Sequence, residues 1–265
     1  MWLQDVPSFA TYRPWFTEAL SGIFTLSNFH GSQLPERAHH LTTSTPNGLD
    51  QSFFVDGPND ANTFVYGSAP NRGLETVLKH WPLIKQQLPQ AILEVYYGFS
   101  PAFDKFGRQH LGPNFEEWRD GMLQLLQQDG VVYRGMVSHQ VLAEAYARAG
   151  FILYPTTYPE TGCVTIMKAM AMGAIPITSR FPGSTLPELT LQWDLGPQPY
   201  EASSDRGHHQ DFDTWAMEWV QAAVNASRFD QRGELANHRA QMKHEARIRF
   251  LWSHVAQTWQ GAFLA

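Results

Sequence analysis

From residue 60 to about 180 the sequence alternates short runs rich in Val, Ile, Tyr and Phe with longer amphipathic ones. The runs 63–67 (TFVYG), 91–97 (AILEVYY), 131–137 (VVYRGMV), 151–155 (FILYP) and 174–178 (AIPIT) predict strands. They are β-branched or aromatic and too short for helices. Between them, residues 73–88 set Leu74, Val77, Leu78, Trp81 and Ile84 three and four apart, on one helical face. Residues 115–128 and 140–148 behave likewise, and 161–172 is almost uniformly apolar, as a buried helix would be. Strand–helix–strand repetition needs crossover connections between parallel strands. The predicted fold class is therefore α/β, a Rossmann-like parallel sheet with helices on both faces.

The flanks are less complete. Residues 22–27 and 40–43 predict strands, but the first 45 residues hold too little for an independent sheet and read as an incomplete N-terminal domain. The cluster STPNGLD at 44–50 marks a boundary, because Asn-Gly favours turns. Residues 196–210 read as a loop. Helices are predicted over 213–227 and 233–263, the second as one long amphipathic helix on the spacing of Arg247, Phe250, Leu251, His254 and Val255. The expected division is 1–45, 46–230 and 231–265, the last packing back on the first.

Composition narrows the function classes. Apolar residues make up 43% of the chain, enough for a core and against disorder. A net charge of −6 argues against a general nucleic-acid binder, which needs a basic face. A single cysteine, Cys163, excludes an internal disulfide and favours a reducing, cytoplasmic setting. No apolar run reaches the roughly 18 residues of a membrane span, and no signal peptide is visible.

Common nucleotide and hydrolase motifs are absent: there is no G-x-G-x-x-G, no G-K-[ST] ending after Gly67, and no G-x-S-x-G. Asp211-Phe-Asp213 is a literal D-x-D, but it precedes a helix and reads as its cap. The pairs His39-His40 and His208-His209 lack metal-site spacing, as do His238 and His244. Two loops do carry chemistry. In YPETG at 158–162 a strand ends and a buried helix begins, so free N–H groups and a positive helix end lie beside Glu160. Gly162 removes a side chain where a ligand approaches the backbone. In GSAPNRGL at 67–74 a strand again turns into a helix, and Arg72 stands at the helix start. A surface arginine is the plain alternative. A cation at the positive end of a helix is unfavourable unless an anion relieves it.

These segments, in order, resemble family 4 glycosyltransferases, retaining enzymes of the two-domain GT-B fold. PNGLD at 46–50 is similar to the opening of the family's C-terminal domain, and SAPNRGLETVL at 68–78 to its diphosphate-binding loop. ILEVYYG at 92–98 and 133–161 are similar to the strands and helices that follow, and PETGCVTIMKAMAMGAIP at 159–176 to its E-x7-E stretch. RFLWSHVAQTW at 249–259 is similar to its terminal helix motif, and WLQDVPS to TLSNFH at the start is similar to the end of the acceptor-side domain. Two positions depart from the pattern: Lys168 stands where the second Glu is expected, and Ser68 where the loop's first basic residue is expected.

The resemblance implies a sugar transfer from a nucleoside-diphosphate sugar, with no cofactor and no metal. Arg72 would hold the diphosphate, with Ser68 in the same loop. Thr161, Gly162, Cys163 and Val164 would supply the helix start that cradles it. Glu160 would hold donor-sugar hydroxyls, and Glu160 with Arg72 would be the catalytic pair. Gly135, Met136 and Val137 would frame the base, and Lys168 would lie near the ribose or a phosphate. Asp5 would face the cleft from the acceptor side. The acceptor is a sugar, lipid or protein. Beside the enzyme stand two other readings: a non-catalytic nucleotide-sugar binding module, and one part of a homo-oligomer or of a split enzyme completed by a second chain.

Overall fold

The computed structural model describes residues 1–5, 19–199 and 212–264. Its centre is a five-stranded, all-parallel sheet of β3 (Asp60–Ser68), β4 (Ile92–Tyr97), β5 (Val131–Gly135), β6 (Ala149–Tyr154) and β7 (Ile175–Thr178), in the order β5-β4-β3-β6-β7. The central strands are buried on both faces: Phe64 to Tyr66 and Phe151 to Tyr154 are all at 0% exposure. This accounts for their continuous apolar character. A second, two-stranded parallel sheet pairs β1 (Ile23–Thr25) with β2 (Thr42–Ser44), and Trp2 bridges to Phe24. Its own core is small, with Ile23, Leu34 and Ala38 buried.

Helices flank the large sheet: α2 (Leu74–Gln87), α3 (Pro101–His110), α4 (Phe115–Leu125), α5 (His139–Arg148), α6 (Val164–Met172), the short α7 (Leu186–Thr190), α8 (Phe212–Gln231) and α9 (Ala236–Arg249), while α10 (Trp252–Leu264) lies against the small sheet, with Trp259 stacked on Phe24. A short α1 (Asn28–Ser32) follows β1. In α2 the predicted face is the buried one. Pro82 inside that helix has no N–H to give to the Leu78 carbonyl, and Gln128 Nε2 takes that acceptor at 3.0 Å. Helix α6 buries six of its nine residues and stops at Gly173, whose φ of +93° closes it.

Four sequence expectations change. The buried helix starts at Val164 rather than at 161, because residues 158–163 form an elbow pinned from outside. Thr185 N–H donates to the Glu160 carbonyl at 2.8 Å, and Ser27 Oγ donates to the Thr161 carbonyl at 2.8 Å. Residues 36–41 form a 3₁₀ turn, so the strand expected at 40–43 begins at Thr42. Helix α3 was not among the expected elements. The single long terminal helix is two, because Leu49 pairs with the backbone on either side of Leu251: Leu49 N–H donates to the Phe250 carbonyl and Trp252 N–H to that of Leu49. Of the motifs set aside, Asp213 lies in the first turn of α8. Asp211, His208 and His209 fall outside the described residues.

Candidate functional site

The chain runs β3→β4→β5 toward one edge of the sheet, then returns to add β6 and β7 on the other side of β3. The strand order therefore reverses between β3 and β6, and a crevice at the carboxyl ends of such a pair is where open α/β sheets bind ligands. The two loops singled out in the sequence, after β3 and after β6, are the ones that meet there. Their backbones touch. Gly73 has φ of +94°, and a Cβ on it would stand 2.8 Å from the Pro155 carbonyl oxygen. Only glycine allows the β3–α2 turn to press this closely on the end of β6.

That contact brings Arg72 to Glu160. Nη1 lies 2.8 Å from Oε1, with side chains 23% and 15% exposed. The guanidinium also stacks on Tyr158, 3.1 Å from the ring centroid. The Tyr154 hydroxyl donates to the same Glu160 oxygen at 2.6 Å, and Ser68 Oγ lies 3.2 Å from that hydroxyl. Burial pushes the phenols of Tyr66 and Tyr154 and the thiol of Cys163 well up, so all three are neutral. Cys163 is a packed residue and not a nucleophile.

Among the described residues, five buried side-chain polar atoms have no partner; one is Arg72 Nε of the pair itself, another is Asn71 Oδ1 on the preceding residue, and a third is Thr185 Oγ1, of the residue whose N–H holds the Glu160 carbonyl. Buried polar groups are normally satisfied, so an unpaired Nε on Arg72 stands out. Nη1 of Arg72 serves Glu160, while the Nε edge of the guanidinium has nothing to donate to.

The other expected residues are distributed around this centre. Thr161 Oγ1 donates to the Gln4 carbonyl at 3.4 Å, so the segment carrying Asp5 borders the elbow. The Asp5 carbonyl accepts from His30 Nε2 at 2.9 Å. Gly162 is small for a different reason from the expected one: a Cβ there would meet Leu26 at 2.9 Å, so the space is taken by the β1–α1 connection. Cys163 is the N-cap residue and Val164 begins α6. Gly135, with φ of +65°, ends β5, and Met136 is 59% exposed beside it. Lys168 Nζ lies 3.2 Å from His139 Nδ1 at the start of α5, and burial lowers its pKa. The cavity of about 500 Å³ lined by Asp60, Asp230 and Arg239 is at the opposite, amino ends of the strands. There Arg239 pairs with Asp230, and Asp60 accepts from Thr63 and the Asn62 N–H.

Residues 57–187 match the family model of glycosyl transferases group 1. The matched segment holds the whole large sheet and both crevice loops. Solved structures agree in fold. The Anabaena protein Alr3699/HepE, in complex with UDP and glucose, superposes with a TM-score of 0.68 at 16% identity, over 99% of this chain and 70% of that one. The pneumococcal O-GlcNAc transferase GtfA, in complex with UDP and GlcNAc, gives 0.67 at 16% identity, over 95% of this chain and 47% of that one. Sucrose-phosphate synthase from Thermosynechococcus elongatus gives 0.67 at 17% identity, over 99% and 66%. The chain thus spans about half of GtfA and two thirds or slightly more of the others. No curated protein sequence matches the chain. Residues 57–187 thus carry the group 1 glycosyl transferase pattern, and the solved structures share the chain's Rossmann-like fold. No described helix is long and apolar enough to cross a membrane.

Sequence reading missed Tyr154, Asn71 and His139. Tyr154 passed as one more apolar strand residue. The available signal was its place as the last residue of a strand, six positions before Glu160.

Proposed function

We propose that this chain carries the donor side of a retaining glycosyltransferase of the family 4 type. It moves a sugar from a nucleoside-diphosphate sugar to an acceptor, without a metal. The observation that carries the reading is the Arg72 guanidinium. One edge is held by Glu160, and the Nε edge is buried and unpaired at the strand-order reversal. A guanidinium edge matches two oxygens of a diphosphate.

The residues divide the work by chemistry. As the sugar–phosphate bond breaks, negative charge grows on the departing diphosphate. Arg72 and the start of α6, at Val164, meet that charge with fixed positive potential. Thr161, Gly162 and Cys163 shape the elbow that aims this helix. Glu160 accepts from donor-sugar hydroxyls. The loop Gly135–Met136–Val137 frames the base. It follows β5, two strands from β3 and hence roughly 10 Å away, a distance suited to the span from diphosphate to base. His139, at the start of the helix after that loop, and Lys168 of α6, whose Nζ lies against it, serve the ribose. Asp5 faces the acceptor side.

Binding and turnover test the reading separately. Pyrophosphate, UDP, GDP and ADP, with their sugar derivatives, are screened by thermal shift; a ligand of the native state raises the melting temperature with concentration. At least one nucleotide is expected to do so, and pyrophosphate at higher concentration. Release of free sugar from the matching donor then reports catalysis, which EDTA leaves unchanged. If no nucleotide shifts the melt, the donor-site reading fails.

A second reading has support of its own. Among the described residues, the core cluster of the N-terminal part is small, with Ile23, Leu34 and Ala38, and the GtfA/B complex is among the similar structures, with a TM-score of 0.68 at 15% identity. On this reading a further chain or copy completes the acceptor side. Sedimentation separates the two readings: a monomer that turns over donor supports the first, and turnover confined to an assembly supports the second.

A further inference from the structure

A carboxylate that reads sugar hydroxyls must hold its two oxygens in fixed directions. Glu160 lies in an irregular elbow, between β6 and α6, where regular backbone does not fix it. Its side chain is tied to the sheet instead. Tyr154 donates to Oε1 at 2.6 Å and Arg72 Nη1 to the same oxygen at 2.8 Å. Tyr154 ends β6, is fully buried, and its ring lies 6.0 Å from that of Tyr66. Its hydroxyl cannot drift without disturbing the core.

The direction of each bond follows from donor counting. Glu160 is the acid of an ion pair, so it only accepts. Burial keeps the Tyr154 phenol protonated. Its one proton goes to Glu160, so Ser68 must supply the proton of the 3.2 Å Ser68–Tyr154 contact. The chain runs from Ser68 O–H to Tyr154 O–H to Glu160 Oε1.

We infer that Tyr154 is the positioning residue of the donor-sugar subsite. With Arg72 it occupies Oε1, so Glu160 turns Oε2 to the sugar. Ser68, its proton directed inward, offers only lone pairs and takes a ligand hydroxyl, not a phosphate oxygen. This rests on the donor-site reading above and narrows Ser68, expected only as a donor-binding residue of the diphosphate loop, to a hydroxyl contact.

The test compares wild type with Tyr154→Phe, which keeps the ring and removes the hydroxyl. Calorimetry uses UDP and a panel of UDP-sugars; a second arm follows the Glu160 carboxyl carbon by NMR in ¹³C-glutamate-labelled protein without ligand. In Tyr154→Phe, UDP affinity is expected to stay within about twofold. The best UDP-sugar should weaken about three- to tenfold, the worth of one hydrogen bond. The Glu160 carboxyl resonance is expected to move or broaden. Ser68→Ala should give the same pattern, more weakly. An unmoved Glu160 resonance overturns the inference, as does an equal loss for UDP and UDP-sugar. If wild type binds neither pyrophosphate nor any nucleotide, the donor-site reading itself falls, and the NMR arm still reports whether Tyr154 holds Glu160.

Discussion

Replacing Arg72 with alanine tests the centre of the site, and the structure sets the size and sign of the result. In the free protein Arg72 is partly satisfied: Nη1 is on Glu160 and the plane is on Tyr158, while Nε is buried and unpaired. A diphosphate that takes the Nε edge forms charge-assisted bonds and relieves that orphan, without taking Arg72 from Glu160. A hydrogen bond to a charged group contributes about 1.5–3 kcal/mol. Arg72→Ala is therefore expected to cost about 2–3 kcal/mol of nucleotide-diphosphate binding, roughly a thirty- to 150-fold rise in Kd. Arg72→Lys keeps the charge but loses the planar edge and the stacking on Tyr158. It should fall between, at about fivefold. Glu160→Gln supplies the opposite sign. It removes a negative charge next to the diphosphate, so the nucleotide should bind as well as before or more tightly, while sugar release stops. Calorimetry with UDP measures all three, and melting curves establish that each variant is folded. If folded Arg72→Ala binds UDP within twofold of wild type, Arg72 is not a diphosphate ligand. Equal weakening by Arg72→Ala and Glu160→Gln would mean that the ion pair merely holds the two loops together.

Three further outcomes are expected. Lys168→Glu exchanges an ammonium beside His139 for the acceptor that the family pattern has there; the fold should persist and UDP binding hold or improve, read by melting and calorimetry, whereas collapse would make Lys168 a structural partner. His30 is fully buried, accepts from Leu26 N–H at Nδ1 and donates from Nε2 to the Asp5 carbonyl, so it is neutral, and burial holds its pKa below the ordinary 6.5; the unfolded chain then binds the extra proton first, and denaturant melts should show stability falling as pH drops below about 6.5, less so in His30→Gln. Trp259 of α10 lies parallel to Phe24 at 4.4 Å and donates to buried Thr45 Oγ1 at 3.0 Å, so Trp259→Ala should cost about 2 kcal/mol by urea titration, with Trp259→Phe restoring the stacking share.

How far the fold could be read depended on which contacts decided each element. The inner strands of the large sheet were legible because β6 and β7 are buried along their whole length and the middles of β3 and β4 are too, so their composition reports their place directly, while the edge strand β5 was legible from its β-branched and aromatic run alone. Helix α2 was legible from the spacing of Leu74, Val77, Leu78, Trp81 and Ile84, all buried. Helix α3 was overlooked because it buries only Phe103 and Gly107. Its start signal was nevertheless present, since Ser100 caps it and Pro101 holds the first position. The break between α9 and α10 had no local signal. Phe250 and Val255 keep the apolar period on either side, and what interrupts the helix is Leu49, some two hundred residues away in sequence. Gly48 repeats the point: a Cβ there would stand 2.1 Å from the Trp252 ring, a constraint invisible until the chain is folded.

The candidate site was legible for a related reason. Arg72 and Glu160 are 88 positions apart, yet each follows a strand that precedes a helix. In a parallel sheet the carboxyl ends of all strands share one edge, so the topology alone brings the two loops to the same side. Whether they meet depends on strand order, which the alternation of runs does not specify. Here β3 and β6 are neighbours, and Gly73 against the Pro155 carbonyl closes the remaining gap. A glycine directly after a cation, at a strand-to-helix turn, was the local trace of that approach. Tyr154 and Ser68 were not assignable in the same way, because their role depends on which way one proton points. A phenol in FILYP looks apolar until the carboxylate it serves is within 2.6 Å, and only then does donor counting assign Ser68 its direction. Arg72 and Glu160 were therefore readable from their place in the strand–helix alternation, and the Tyr154 and Ser68 hydroxyls beside them only from the packed structure.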